Sequence, residues 1–399
     1  MKLRNILASE TLRRFLKTLR HFDFLLIAAA LAMGVFGVFM VYAATNTGVM
    51  PRFANMYVSQ RVFLISGVAL MLFVAFIDYR FITKFYWVIY GLCVALLVIV
   101  WLIGRGSGDP ARWIVITLPA LGEVSIQPSE FAKIFMILFL AKLIEKRQET
   151  FNHILILSLI LISIAVPVYL IYKQPSLSAC IVVLVTSLVV LFAGGLYYRT
   201  VLISALVVVP VGLAAWFDLL REKPLFMGFF KEMNNGYQWE RIETFLNPVA
   251  GTDEYLQVQQ SLYSIGSGGL YGKGFGNNSY VINGHNDFVF SVIGEQFGFV
   301  GCAAVLAVMA FIIIKCILTA LRASDLQGRM IAAGVAGMLL FETFVNVGVV
   351  TSLLPNTGMP FPFISAGGTA MWVHMAEIGL VVNIGIPRDK SIFEARREL

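Results

Sequence analysis

The chain has 399 residues, of which 59% are hydrophobic and 13% charged, with a formal net charge of +7 at pH 7 and a mean hydropathy of +0.82. So apolar a composition excludes an ordinary water-soluble fold and calls for a bilayer around it. The positive charge falls mostly in short loops between apolar runs, so it reports membrane orientation rather than nucleic-acid binding.

Residues 1–22 form a basic arm in which Leu12, Phe15, Leu16 and Leu19 alternate with Arg13, Arg14, Lys17 and Arg20. The pattern fits a helix lying on an anionic inner leaflet, although such a stretch is more often an ordinary flank that sets topology. The apolar run that follows is too long for a signal peptide and lacks a small-residue cleavage site. Each crossing needs about 20 apolar residues, with every backbone polar group paired inside the helix. That requirement predicts an all-α polytopic membrane protein with about ten transmembrane helices, at 24–45, 62–77, 85–103, 128–144, 154–172, 177–195, 201–219, 288–315, 330–353 and 367–386. Basic residues recur in every second loop, at Arg80 and Lys84, at Lys142, Lys146 and Arg147, at Arg199, at Arg322 and Arg329, and in the tail 388–399. Both termini are therefore expected in the cytoplasm. The transmembrane domain should span 23–387, with a large extracytoplasmic loop, 220–287, between spans seven and eight. This loop is well beyond a connector. Its mixture of Phe226, Phe229, Phe230, Tyr237, Trp239 and Phe245 with Lys223, Lys231, Glu240, Arg241 and Glu243 suits helices lying among lipid headgroups. Cys93, Cys180, Cys302 and Cys316 sit in apolar segments as small hydrophobes, and no His or Cys cluster has zinc-ligand spacing.

Several residues carry chemistry that a lipid-facing helix does not need. Glu130 and Lys133 share one face of the helix opened by Pro128, where each charge costs about 2.5–3.5 kcal/mol at the bilayer centre. The two can satisfy each other near the interface, with Lys133 snorkelling toward the headgroups, or hold a substrate. Arg112 with Trp113 fits an interface anchor as well as a site. The glycine-rich run 266–274 is no nucleotide P-loop, since Ser267 and Gly274 replace a required Gly and a required Ser or Thr. It suits either a flexible turn or an anion-holding loop with Lys273 as its cation. His285-Asn286-Asp287-Phe288 opens the eighth span, where a carboxylate is often only a cap. Glu295, about 12 Å deeper, needs a partner or a proton. Glu342, His374 and Glu377 are further ionisable groups inside spans, the last two placed for mutual hydrogen bonding or a proton relay. Prolines and glycines from Leu354-Pro355 to Gly368 mark broken helix, which in membrane proteins often lines a cavity.

These segments together resemble the SEDS family of bacterial envelope proteins, the shape, elongation, division and sporulation group. The residues carrying the resemblance are Arg112-Trp113-Ile114, Gln127-Pro128-Ser129-Glu130-Phe131-Ala132-Lys133, Gln174-Pro175, Arg241-Ile242, Phe245-Leu246-Asn247-Pro248, Gln260-Ser261-Leu262 and Gly266-Ser267-Gly268-Gly269-Leu270. The series continues through Gly272-Lys273-Gly274, His285, Asp287-Phe288, Gly294-Glu295, Asn346, Leu354-Pro355, Gly358, Pro362-Phe363-Ile364-Ser365 and Gly367-Gly368, so the match covers nearly the whole chain. Departures stand at Ser176, Ser178, Leu256, Asn286, Gln296 and Ala366, and none removes the principal acid.

The resemblance implies an inverting peptidoglycan glycosyltransferase of the bacterial cytoplasmic membrane. Such an enzyme polymerises lipid II into glycan strands for cell shape or division and releases undecaprenyl pyrophosphate. Asp287 is then the catalytic base. Arg112, Glu130, Lys133, Arg241, Gln260, Ser261, Lys273, His285 and Ser365 are the substrate-binding candidates, and Glu295, Glu342, His374 and Glu377 the ionisable groups within the membrane. A divalent cation, Mg or Mn, is the candidate cofactor. Implied partners are lipid II, undecaprenyl-linked glycan, membrane lipids and a class B penicillin-binding protein. Two other readings stay open, a lipid II flippase whose broken helices line a headgroup path and a non-catalytic scaffold for that transpeptidase.

Overall fold

The fold is that of a computed structural model, which describes residues 19–46, 55–103, 112–118, 122–174, 176–199, 241, 244–246, 252–277, 279 and 281–387. In chain order it comprises α1 (Phe24–Thr45), α2 (Met56–Phe76), the short α3 (Tyr79–Lys84), α4 (Tyr86–Ile103), strands β1 (Ile114–Leu118) and β2 (Gly122–Ile126), α5 (Pro128–Lys146), α6 (Ile154–Lys173) and α7 (Leu177–Ala193). It continues with α8 (Asp253–Gly268), α9 (Val289–Arg322), α10 (Leu326–Val350) and α11 (Gly368–Ile384). Helices α1, α2, α6, α9 and α10 are each long and apolar enough to cross a bilayer, and the protein is a multi-pass membrane protein. The predicted runs coincide with helices apart from a few terminal residues. The run 201–219, the arm to residue 18, the aromatic stretch 226–240 and the tail from 388 lie outside the described residues.

Helices α5, α10 and α11 form the centre, buried on most of their surfaces. Around them α1, α2, α6 and α9 turn Phe, Leu, Ile and Val side chains outward, as a lipid-facing surface requires. One end of the bundle is locked by Asp325. Its carboxylate caps α10 at Gly328 N (2.6 Å) and accepts from Tyr79 Oη (2.8 Å) and Arg80 Nε (2.7 Å). Beside it Asn383 accepts from Tyr79 N (3.1 Å) and donates to Ala75 O (2.7 Å).

The all-α expectation needs one correction. Strands β1 and β2 pair antiparallel, Ile114 opposite Ile126 and Leu118 opposite Gly122, and lead into Pro128, which opens α5 where its missing N–H costs nothing. Thr369 Oγ1 accepts from Gln127 N (3.1 Å) and donates to Ser125 O (3.3 Å), tying the hairpin to the start of α11.

Helix α9 runs to Arg322, past the predicted end, and its 34 residues are broken at Gly298, where φ is +65°. At the break the glycine-rich loop exchanges main-chain bonds with the helix. Lys273 N donates to Glu295 O (2.9 Å) and Gly274 N to Gln296 O (3.0 Å), while Phe299 N donates to Gly269 O (2.9 Å) and Val300 N to Leu270 O (3.1 Å). Groups that a kink would leave unpaired in hydrocarbon are thereby satisfied. Only glycine fits at 298, because a Cβ there would lie 2.5 Å from the Leu270 carbonyl and the Gly272 nitrogen.

Candidate active site

A cavity of about 330 Å³ opens where α5 and α11 begin and α10 ends, and its lining includes Arg112, Glu130, Lys133, Arg241, Asp287 and Glu342. Asp287 belongs to the turns that precede α9. Its main chain is fixed from both sides: Phe288, fully buried, closes a turn onto Asn283 O (3.2 Å), and Asn346 Nδ2 donates to Asp287 O (2.8 Å). The same Asn346 amide donates to Met359 O (2.7 Å), so one side chain of α10 sets both the acid and the broken segment opposite.

That segment, 351–367, crosses the cavity without regular structure, yet its backbone is served by side chains. Phe361 N donates to Ser365 Oγ (2.7 Å), Gly367 N to Gln60 Oε1 (3.2 Å) and Gln60 Nε2 to Ser365 O (3.1 Å). Irregular chain at membrane depth persists only when it is satisfied in this way. At Gly358 φ is +68°, and a Cβ would sit 3.1 Å from Arg241 Nη1 and 3.3 Å from Asp287 Oδ2. The absent side chain keeps open the space between the guanidinium and the acid.

Burial pushes the Asp287 carboxyl up to about 6, against the downward pull of the Arg241 and Arg112 guanidiniums. The outcome is an acid ionised at neutral pH yet more basic than an exposed aspartate, as proton abstraction requires. The arginines are oriented through main-chain carbonyls, Arg112 Nε donating to Gln174 O (3.1 Å) and Arg241 Nη1 to Asn356 O (3.4 Å).

Lys133 does not snorkel. Its side chain is 3% exposed, and Nζ lies 2.7 Å from both Glu130 Oε2 and Glu342 Oε1, so the buried charge is paired with carboxylates of α5 and α10. His374 and Glu377 extend this chain from α11, with His374 Nδ1 3.3 Å from Glu377 Oε2.

The other substrate-binding candidates do not line the cavity; they brace its surroundings. Gln260 Oε1 accepts from Ile282 N (2.9 Å), Ser261 Oγ donates to Val350 O (2.8 Å), and Ser365 Oγ donates to Asn286 O (2.7 Å). His285, whose imidazole is held below its usual range by burial, accepts at its carbonyl from Ala366 N (2.8 Å). Lys273 Nζ pairs with Glu295 Oε1 at 2.6 Å, and the Lys273 and Gly274 amides bond to α9, so this loop packs against the helix. Sequence reasoning missed Asn283 and Thr369 in the lining, quoted Gln127 only as part of a family motif, and treated Ser176, Ser178, Asn286 and Ala366 only as family departures. The signal was present in the polar residues flanking each helix break.

Comparison with known proteins adds independent findings. A family model described as cell cycle protein, covering FtsW, RodA and SpoVE, matches residues 23–390. The chain is 30% identical over 381 residues to a probable peptidoglycan glycosyltransferase FtsW of Geobacter sulfurreducens, covering 92% of this chain and 96% of that protein. With the peptidoglycan glycosyltransferase MrdB of Escherichia coli K12 it shares 31% identity over 91% of this chain and 93% of MrdB. A chain solved in work on polymerization and crosslinking by a peptidoglycan synthase complex superposes with a TM-score of 0.74, at 27% identity, over 91% of this chain and 97% of that one.

Proposed function

The chain belongs to the FtsW, RodA and SpoVE family of cell cycle proteins, and from that premise we infer that it is a peptidoglycan glycosyltransferase. It joins lipid II units into glycan strands at the outer face of the cytoplasmic membrane. One observation carries the reading: a single cavity brings a half-buried acid, Asp287, together with two guanidiniums, Arg112 and Arg241.

In the reaction Asp287 accepts the proton of the acceptor sugar hydroxyl as its oxygen attacks the anomeric carbon. The bond to the diphosphate oxygen breaks with its electron pair, and Arg112 and Arg241 balance the charge that develops there. The acceptor oxygen displaces the diphosphate directly in a single step, with Asp287 acting as base and not as nucleophile, so the anomeric configuration inverts. Asp287 faces guanidiniums, and among the described residues no three His, Cys, Asp or Glu side chains form a group able to hold a metal ion. Mg or Mn, the proposed cofactor, would be carried chiefly by the diphosphate, with one or two cavity carboxylates sufficing as protein ligands.

Ten spans with both termini cytoplasmic and a large outer loop complete the proposed architecture. A class B penicillin-binding protein is the proposed partner, in keeping with the synthase complex of the structural relative. The test is purified full-length protein given labelled lipid II in detergent, with that partner added. Long glycan chains from the wild type, and a deep loss of polymer from Asp287→Asn, are expected. A flippase or scaffold yields no polymer under these conditions, and normal polymer from Asp287→Asn would remove the mechanism.

A further inference from the structure

Three carboxylates and two bases form one buried chain that starts at the cavity wall and runs inward between α5, α10 and α11. Lys133 bridges Glu130 and Glu342. The second Glu342 oxygen, Oε2, lies 3.7 Å from His374 Nε2, and His374 Nδ1 lies 3.3 Å from Glu377 Oε2. Glu342 lines the cavity together with Glu130 and Lys133. Glu342 Oε2 and Glu377 Oε1 have no hydrogen-bond partner among the described residues. On other elements, the Phe363 ring packs against His374. Cys316 of α9 lies in the field of Glu377 and also of Asp23, which pairs with Lys315.

The chain therefore holds one carboxylate more than it has bases, in surroundings where unbalanced charge is costly. A diphosphate entering the cavity adds negative charge to the wall that Glu130 and Glu342 already occupy, and competes with them for Lys133. A proton on the chain relieves both conflicts. An imidazole can carry it inward, accepting at Nε2 while releasing from Nδ1.

We propose that diphosphate binding in the cavity is coupled to uptake of a proton by the Glu342–His374–Glu377 chain, which frees Lys133 to act on the anion. The proton enters from water in the cavity through Glu342, only O–H and N–H bonds change, and it departs with the product diphosphate. The inference rests on reading the cavity as a diphosphate site.

Farnesyl diphosphate, titrated calorimetrically into the full-length protein in detergent across neutral pH, tests it. Proton uptake requires affinity to fall as pH rises, by up to about tenfold per pH unit for one proton. Titration of the probe and of Asp287 adds equally to wild type, Glu377→Gln and His374→Gln, so the wild type should show the steeper dependence. Equal slopes in folded, binding-competent variants overturn the proposal and leave the diphosphate site standing. Absence of binding by the wild type at every pH overturns both. Where the variants do not fold, a pH dye in weakly buffered wild type at about pH 8 reads the proton directly. Uptake on mixing is expected there, and a flat signal overturns the proposal.

Discussion

Asp287 and Glu295 lie on either side of the turn into α9, in opposite surroundings. Glu295 is fully buried and its carboxylate is engaged by Ser264 Oγ (2.6 Å), Lys273 Nζ (2.6 Å), Ser279 N (3.0 Å) and Ser279 Oγ (2.9 Å). Asp287 is instead anchored through its main chain by Asn346, and its carboxyl meets the cavity. An acid bound through its side chain holds a fold together; one bound through its backbone keeps its oxygens for chemistry.

Asparagine at 287 tests the reactive side most sharply. Polymer formation should fall by about 10²–10⁴, the usual worth of a positioned general base, while chromatographic behaviour in detergent stays that of the wild type. Glutamine at 295 tests the other side. It should destabilise by about 1–3 kcal/mol, read as a lower Tm in detergent, with turnover per folded molecule largely kept. The figure stays below that for a fully buried pair because Lys273 is 39% exposed and can return to solvent. An activity loss as deep as that of Asp287→Asn would erase the distinction between the two acids.

Gly358→Ala sharpens the comparison from the opposite wall. The positive φ costs about 1–2 kcal/mol, read as a Tm lower by a few degrees, and the new methyl meets Arg241 and Asp287, so turnover per folded molecule should drop about tenfold. The smallest effect is in the pH profile. Since Asp287 sits at about 6, activity should be full above that pH and decline as pH falls through it, because the protonated acid accepts nothing. Arg241 pulls that value down, so Arg241→Gln should move the midpoint upward. A downward move would mean that another group sets the acid limb.

Much of the bundle was legible because an apolar run long enough to span hydrocarbon has few alternatives to a helix. The hairpin was not, although Ile114–Leu118 is a run of mostly β-branched residues of the kind strands favour; it falls between two of the predicted spans. Asp287 and its arginines were found through family resemblance, while their convergence is a matter of packing. Lys133 shows the limit most clearly. Glu130 was visible as a neighbour on one helix face, but Glu342 lies 209 residues away, and no local periodicity links the two. Gln260, Ser261, Ser365 and Lys273 match the family in sequence, yet their side chains bond to neighbouring segments. A motif match carries identity, and only geometry separates a residue that touches substrate from one that holds it in place.

The bond exchange at Gly298 also fixes a count. Its four main-chain bonds clamp the register of α9 at one end, and Asn346 clamps Asp287 at the other. Each residue of helix turns the chain by about 100°, so inserting or deleting one residue between these clamps would swing the acid to a different side of the helix axis. The spacing from acid to kink therefore behaves as a fixed length.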